Sequence, residues 1–465
     1  MRYEKDIPFR SVSFGLFYPA KNGVTRDFAK LALKMSTPLL RYPTPFEPFR
    51  PFDGVETNRP VYKMFYRSKL SNISLKNQTM DNSFETLLEH SKQAIRYWWL
   101  LLLTGIGLVM LLSASFPSAY YESEGKNPLS YFIRQGVFAI MGVAAMLFIG
   151  KINYQRFRAL AKPLLYVSIV LLVLVVIPGP NQYGKLLGQG ANNAVRWLGI
   201  PGTSFQFQPS EIAKMAVVLY FADSISKKKD KMRTFRYGIA PYALVLIVLA
   251  ALVGIEPHLS GAILILGAGA VMMLVGGIQW RWVGGALAAA GAMLYLVLFV
   301  IGYNTTRITY WLDPWADQRG AGYQLSQSLT TIGSGGLWGV GLGKSRMKYL
   351  FLPEEHNDFI FAIVCEELGL IGATIIMLLF AALILRGFWI ALHARDRFGS
   401  LMVVGIMTLV GLQTFLNIGV VTGLLPTTGI SLPFFSYGGT ALTIQLAEMG
   451  VVLSVSRQMK PTKAG

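Results

Sequence analysis

Cysteine and histidine are scarce in this chain of 465 residues. The chain has one cysteine, Cys365, which lies inside an apolar run, and four scattered histidines. A disulfide within the chain is therefore excluded, and the residues offer neither a cysteine cluster nor a zinc site.

Charged residues are also scarce, at 14% of the chain, whereas 53% of the residues are hydrophobic. Soluble domains carry about 25% charged residues. Several apolar runs exceed the roughly 18 residues that cross a bilayer as a helix. These features argue against a single soluble core and predict an all-α, polytopic membrane protein.

Ten apolar runs follow one another along the chain and predict ten transmembrane helices. They cover 96–115, 131–150, 162–178, 208–226, 238–255, 260–277, 282–302, 358–385, 398–421 and 433–455. The connection between the seventh and eighth runs is much longer than the others. We therefore predict a large extracytoplasmic loop between helices 7 and 8, where polar residues could form a site.

The net charge of +19 is concentrated in alternate connections and at the two ends of the chain. On a soluble protein this charge would suggest a nucleic acid as partner. In a membrane protein, basic residues collect in the cytoplasmic loops instead. The pattern therefore predicts a multi-pass protein of the cell membrane with both termini in the cytoplasm and no nucleic-acid partner.

The first 95 residues differ from the rest of the chain. They are polar, basic and rich in proline and phenylalanine, without sustained periodicity. Such a segment buries too little apolar surface to fold alone, so residues 1–95 are predicted to be a largely disordered cytoplasmic segment. Met80 is a candidate for the true start. Residues 96–457 form the predicted membrane domain, and 458–465 a cytoplasmic tail.

A first group of polar residues lies around the start of the fourth run. Arg196 precedes this run, and Glu211 and Lys214 lie three positions apart, on one face of a helix. One interpretation is an internal Glu211–Lys214 ion pair, or a lysine that reaches the membrane interface. The other is a fixed cation that faces a water-filled cavity and suits a phosphate.

A second group runs from the long loop into the eighth span, where His356, Asp358, Glu366 and Glu367 occur within twelve positions. Several carboxylates on one partly buried helix are costly without a reason. Asp358 or its neighbour Asn357 could be a helix N-cap. A carboxylate at the mouth of a dry cavity can instead have a raised pKa and act as a general base.

Glycine and proline mark two further segments. Residues 423–440 break the entry to the last span, and Ser436 and Tyr437 could contribute hydroxyl groups there. A purely architectural function of this segment is about equally favoured. The glycines of 333–343 lack the lysine and serine of a phosphate-binding loop, so they predict tight, closely packed backbone.

Three of these segments resemble one known family. Pro353-Glu-Glu-His-Asn-Asp-Phe-Ile-Phe361 with Glu366-Glu-Leu-Gly369, the segment Pro426–Gly439, and Gln208-Pro-Ser-Glu-Ile-Ala-Lys214 are similar to motifs of the SEDS family. That family comprises FtsW, RodA and SpoVE. The resemblance covers about residues 95–457 and is closer to the FtsW/SpoVE branch than to RodA.

The resemblance implies a peptidoglycan glycosyltransferase of the bacterial cell membrane. Such an enzyme polymerises lipid II, an undecaprenyl-pyrophosphate-linked disaccharide peptide, outside the membrane. The family's essential aspartate corresponds to Asp358, and its basic residues correspond to Arg196 and Lys214. The chain departs from the family pattern at Asn357, which replaces a threonine before the aspartate, and in Glu256-Pro-His-Leu-Ser260, which replaces a frequent Gln-Pro-Asp-Leu-Gly. Glu256 or His258 could substitute for the aspartate that is absent there.

The implied partners are a class B penicillin-binding transpeptidase and other membrane proteins of the divisome, with septal wall synthesis in cell division as the expected process. Asp358 is the expected catalytic base. The residues expected to bind substrate are Arg196, Lys214, Glu211, Glu366, Ser436, Tyr437 and His356. No metal ligand set is evident, although a divalent cation could assist. A lipid II flippase is the alternative, and a non-catalytic scaffold for the transpeptidase is a further one.

Overall fold

The computed structural model describes the membrane domain with several gaps. The described residues are 99–178, 188–191, 194–199, 206–256, 258–285, 288 and 305–459. The predicted segment 1–95 with its candidate start at Met80, most of the span predicted at 282–302, and most of the tail 458–465 lie outside them.

The described part of the chain is mainly helical. Its principal helices are α1 (Trp99–Glu122), α2 (Ser130–Lys151), α3 (Ala161–Val176), α4 (Pro209–Lys228), α5 (Ala240–Ile255), α6 (Leu259–Val275), α7 (Thr305–Leu312), α8 (Tyr323–Gly335), α9 (Ile360–Leu392), α10 (Arg397–Val421) and α11 (Gly439–Arg457). A 3-10 segment, Tyr154–Leu160, leads into α3, and a π-helical turn, Phe235–Ile239, leads into α5.

Seven helical segments of the described residues are long and apolar enough to cross a membrane. They are those of α1, α2, α3, α5, α9, α10 and α11. The spans predicted at 208–226 and 260–277 correspond to α4, which is more polar, and to α6, which has 17 residues. A multi-pass, mainly α-helical membrane protein is therefore confirmed, but the count of ten spans is not.

A small antiparallel sheet, which the sequence did not predict, occupies the second long connection. Its strands are β1 (Gly188–Ala191), β2 (Ala194–Gly199) and β3 (Gln206–Phe207), in the order β1-β2-β3. Leu198 of β2 is buried and pairs with Phe207 of β3. The sheet places Arg196, in the middle of β2, at a fixed position beside the helices.

Helix α4 begins as its sequence predicts. Pro209 is its first residue and Glu211 lies in its first turn. Proline is favoured at this position because its missing N–H would have no partner in the helix, and an acidic side chain interacts well with the positive end of the helix dipole.

Helix α9 is interrupted at Gly369, where the backbone has φ 68° and ψ −174°. The break leaves carbonyl groups before it and N–H groups after it without helical partners. Backbone groups at membrane depth need such partners, because lipid offers none. The break therefore requires another segment of chain to complete its hydrogen bonds.

The glycine segment 336–341 supplies these partners. The Val340 N–H donates to Glu366 O at 2.9 Å, and the Leu370 N–H donates to Gly336 O at 2.9 Å. A Cβ atom built at Gly369 would lie 2.3 Å from the backbone nitrogen of Gly339. The two segments can therefore approach this closely only because both positions are glycine. The predicted tight packing of this glycine segment is confirmed.

The two ends of the helical bundle differ in charge. One end, called here the basic end, carries Lys151, Arg158, Lys227 and Arg457, and the opposite end, called the site end, carries Asp358. At the basic end Arg158 bridges two carboxylates. Its guanidinium lies 3.1 Å from Asp223 of α4 and 3.1 Å from Asp396, the N-cap of α10. This bridge ties the segment before α3 to α4 and α10.

Candidate active site

Asp358 lies at the site end, immediately before α9. The N-cap position of α9 is Phe359, and no side chain caps the helix there. The Asn357 amide instead donates to Glu354 Oε2 at 2.6 Å. The alternative that Asn357 or Asp358 is an N-cap is therefore wrong, and the Asp358 carboxylate is not used to close the helix.

The backbone around Asp358 is held by α10 and by the segment 423–438. The Asn417 amide donates to Asp358 O at 2.7 Å and to Ile430 O at 2.6 Å. Gly429, at φ 66°, lies so close that a Cβ atom on it would be 3.2 Å from Asp358 Oδ2. The carboxylate thus stands on a fixed backbone, against a glycine that gives it room.

The environment of Asp358 raises the pKa of its carboxyl group to about 6. Burial is the main cause and the negative charge of Glu354 adds to it, whereas the positive charge of Arg196 and the His356 imidazole oppose it. A carboxylate with this pKa is ionised at neutral pH and still accepts a proton more readily than an ordinary aspartate. These are the properties of a general base.

Arg196 connects three titratable groups at the site end. Its positive charge lowers the pKa of Asp358, of Glu256 at the end of α5, and of His258 before α6. The structure therefore brings together β2, the α5–α6 connection and the start of α9. Arg196 is half-buried, and a guanidinium in this position suits an anionic ligand.

Lys214 forms the ion pair that its spacing predicted. Lys214 Nζ lies 2.8 Å from Glu211 Oε2, and the side chains of both residues are buried. The lysine also acts electrostatically on His258 and on the buried Glu448 of α11. Lys214 and Arg196 thus act together on His258, whereas Arg196 and not Lys214 acts on the pKa of Asp358.

Two residues of the α5–α6 connection, which the sequence indicated only as substitutes for a family aspartate, join this cluster. Burial raises the pKa of Glu256 to about 8, against the opposing charge of Arg196. Burial and the charges of Arg196 and Lys214 lower the pKa of His258 to about 3, so its imidazole is neutral. The available signal was an acid and a histidine at a helix connection of the predicted outer face.

Ser436 and Tyr437 support the loop that carries Asp358. The Ser436 hydroxyl donates to Asn357 O at 2.7 Å and accepts the Leu432 N–H at 2.7 Å. The Tyr437 N–H donates to His356 O at 2.9 Å. These contacts position the backbone beside Asp358, and the predicted contacts of both hydroxyl groups with substrate stay predictions.

His356 is held by aromatic rings and a carboxylate. Its ring centroid lies 4.7 Å from that of Tyr131 and 6.0 Å from that of Tyr437. Its Nδ1 atom lies 3.3 Å from Glu355 Oε1, which also accepts a short hydrogen bond from Ser118 of α1. His356 therefore joins the Asp358 loop to α1 and α2.

Glu366 contacts a different part of the chain. It accepts a short hydrogen bond from the Ser345 hydroxyl and the N–H of Arg346 at 3.0 Å. Its neighbour Glu367 pairs with Lys348 at 2.9 Å. These contacts anchor the loop before Asp358 to α9, and the predicted binding of substrate by Glu366 stays a prediction.

Among the described residues, no group of three or more His, Cys, Asp or Glu side chains is arranged to hold a metal ion. The assistance of a divalent cation stays a prediction.

Known proteins resemble this chain in both sequence and fold. The family model of cell cycle proteins that covers FtsW, RodA and SpoVE matches residues 94–461. A probable peptidoglycan glycosyltransferase FtsW of Geobacter metallireducens is 42% identical over 361 residues, which make up 77% of this chain and 93% of that protein. The stage V sporulation protein E of Bacillus subtilis is 43% identical over 360 residues, 77% of this chain and 94% of that protein.

Solved structures agree with these relatives. A chain from a peptidoglycan synthase complex, studied for its coordination of polymerization and crosslinking, matches with a TM-score of 0.61 and 28% identity, and the match covers 76% of this chain and 97% of that chain. The rod shape determining protein RodA of Thermus thermophilus matches with a TM-score of 0.56 and 28% identity, over 79% of this chain and 97% of RodA.

Proposed function

Because the chain belongs to the family of FtsW, RodA and SpoVE, we propose that it is a peptidoglycan glycosyltransferase that polymerises lipid II at the outer face of the cell membrane. Relatives that are 42% and 43% identical to this chain are named a probable peptidoglycan glycosyltransferase and a sporulation protein, respectively. We further propose septal wall synthesis as its process, and a class B penicillin-binding transpeptidase and other divisome membrane proteins as its partners.

The orientation follows from charge. The basic end carries the arginine and lysine residues of the short connections, and such residues collect on the cytoplasmic side of a membrane. The site end would then face outward, with both termini of the chain in the cytoplasm. Asp358 and Arg196 would lie where a lipid-linked sugar can leave the bilayer while its hydrocarbon tail stays in it.

In the proposed reaction, the hydroxyl group of the acceptor disaccharide attacks the anomeric carbon of the donor. Asp358 accepts the hydroxyl proton as the new C–O bond forms. The bond from the anomeric carbon to the undecaprenyl-linked pyrophosphate breaks, and its electron pair leaves with the phosphate oxygen. A positioned base of this kind contributes about 10²- to 10⁴-fold to the rate.

Arg196 would stabilise the charge that develops on the leaving pyrophosphate. A fixed cation in a partly dry site acts on such charge more strongly than it would in water. Lys214 would contribute through its position beside His258, while Glu211 neutralises it in the absence of substrate. The pair would therefore add a cation without leaving an uncompensated charge in the membrane.

One observation carries the proposal. A carboxylate that caps no helix, with its pKa raised to about 6, lies within electrostatic reach of an arginine at the end of the bundle opposite the basic end. An ordinary structural aspartate at a helix start would instead be hydrogen-bonded to the helix N–H groups.

The test is polymerisation of lipid II by the purified protein together with its transpeptidase. Asp358→Asn keeps the shape of the side chain and removes the base, so glycan chains should fall at least 10²-fold. Glu124→Gln is the matched control, because Glu124 is an exposed carboxylate that pairs with the exposed Lys126. Near wild-type polymerisation by Asp358→Asn would reject the base, and lipid II translocation without any polymer would favour a flippase.

A further inference from the structure

The carboxyl group of Glu256 is buried without a hydrogen-bond partner. Glu256 follows the last residue of α5 and is 2% exposed. Among the described residues, neither of its side-chain oxygens has a partner. A buried polar group in this state costs free energy, and such groups in native proteins usually serve a purpose.

Glu256 lies at the site end, in the same region of the fold as Asp358. The Ser260 hydroxyl, at the start of α6 and four residues further along the chain, lies 3.4 Å from Gly429 O, and Gly429 lies against Asp358 Oδ2. The charge of Arg196 acts on both carboxyl groups. Two further buried atoms, Asn417 Oδ1 and Thr428 Oγ1, have no hydrogen-bond partner among the described residues. Asn417 contacts the backbone of Asp358 through its amide nitrogen, and Thr428 precedes Gly429. This region of the site end therefore offers buried polar atoms to a polar ligand.

The charges around Glu256 come from several elements. The positive charge of Arg196 in β2 lowers the pKa of Glu256. His258, which lies with Glu256 on the α5–α6 connection, is neutral. On α4, Lys214 is paired with Glu211. Glu448 of α11, on which Lys214 and Glu211 act, and Asp358 before α9 are the nearby acids on other elements. Burial prevails over the opposing charge of Arg196, and the pKa of Glu256 stays near 8.

Ionisation decides what Glu256 can do to an anion. An ionised carboxylate beside Arg196 would repel a pyrophosphate, whereas a protonated one has an O–H group that can donate to it. A donor fixed in a low-dielectric site interacts best with charge that appears during the reaction.

We propose that Glu256 is a neutral hydrogen-bond donor to the pyrophosphate of the lipid-linked donor sugar, beside Arg196. This inference rests on the proposed function and adds a substrate-binding group to it. The proton stays on Glu256 throughout, and the hydrogen bond strengthens as the C–O bond breaks and negative charge collects on the phosphate oxygen. The reaction then needs Asp358 ionised and Glu256 protonated, so its rate is highest between about pH 6 and pH 8.

The experiment compares Glu256→Gln and Glu256→Leu in the full chain with its transpeptidase. Glutamine keeps a neutral donor, so its rate at pH 7 should stay within about threefold of wild type and should no longer fall above pH 8. Leucine removes the donor and should lower kcat by about 10²- to 10³-fold. Glu124→Gln, at an exposed site, should keep the wild-type pH profile. Unfolding midpoints of the purified variants identify any that do not fold, and the glutamine profile alone then decides.

A loss in Glu256→Gln as large as in Glu256→Leu would overturn the proposal, because it would require the ionised carboxylate. Unchanged activity in Glu256→Leu, or an alkaline fall that persists in Glu256→Gln, would also overturn it. Binding of undecaprenyl pyrophosphate, measured from pH 6 to 10, separates this inference from the proposed function. Wild-type binding that weakens above about pH 8, with Glu256→Gln binding that does not, supports the donor even if no glycan is made.

Discussion

Removal of the buried lysine that pairs with Glu367 should strongly destabilise the protein. Lys348 Nζ lies 2.9 Å from Glu367 Oε1, and the two side chains are 4% and 0% exposed. The Ser113 hydroxyl of α1 also contacts both Glu367 oxygens, at 2.6 and 2.8 Å. The pair thus connects the loop before Asp358, α9 and α1. Lys348→Met leaves the Glu367 charge buried with hydrogen bonds but without a cation.

The size of the effect follows from this geometry. Removal of one partner of a buried ion pair costs about 3–5 kcal/mol. Because Glu367 keeps its bonds from Ser113 and the Ser345 N–H, we expect the lower end, about 3 kcal/mol. At about 2 °C per kcal/mol, which is typical of larger domains, the unfolding midpoint should fall by roughly 6 °C. Replacement of both residues, Lys348→Met with Glu367→Leu, should recover most of this loss.

The assay is thermal unfolding of the purified protein in detergent, followed by tryptophan fluorescence. The matched control is Lys126→Met. Lys126 pairs with Glu124 at 3.3 Å, but the two side chains are 80% and 81% exposed, and exposed pairs contribute little to stability. A midpoint for Lys348→Met equal to that of Lys126→Met, or a double variant no more stable than Lys348→Met alone, would refute this reasoning.

Three further predictions concern the site and the break in α9. The wild-type polymerisation rate should fall about tenfold per pH unit below about pH 6, because a protonated Asp358 cannot accept a proton; a pH–rate series measures this. Gly369→Ala should prevent folding, because the new Cβ atom would lie 2.3 Å from the backbone nitrogen of Gly339. Gly333→Ala is the control, because the space around Gly333 is open, and it should change the free energy of unfolding by no more than about 1 kcal/mol. Expression yield and the unfolding midpoint test both variants. Asn417→Leu should lower kcat about 10²-fold with the fold intact, because the Asp358 backbone loses its amide donor, and an unchanged kcat would contradict that.

Much of the membrane fold was predictable, because lipid imposes long apolar helices. The runs at 131–150 and 398–421 match α2 and α10 within a few residues. The start of α4 at Pro209 followed from local preferences of helix ends. The sheet at 188–207 was not predictable in this way, because its strands are short and their pairing depends on tertiary contacts rather than on alternating hydrophobicity.

The site was predictable in part. Spacing alone predicted the Glu211–Lys214 pair, because residues three apart share a helix face. The break at Gly369 was hidden inside a continuous apolar run, since glycine is common in such runs and only its φ of 68° shows the interruption. Glu256 was noticed only as a departure from the family pattern, because the burial of its side chain depends on elements distant in sequence.

The pairing of the glycine segment with the break in α9 bears on how the chain enters the membrane during synthesis. Residues 336–341 precede Gly369 in the chain, so they have left the ribosome before the break does. The carbonyl and N–H groups of the break can therefore find their partners at once, within one hairpin of chain. Insertion of this region need not wait for α10 or α11, and no orphaned peptide group has to face hydrocarbon in the meantime.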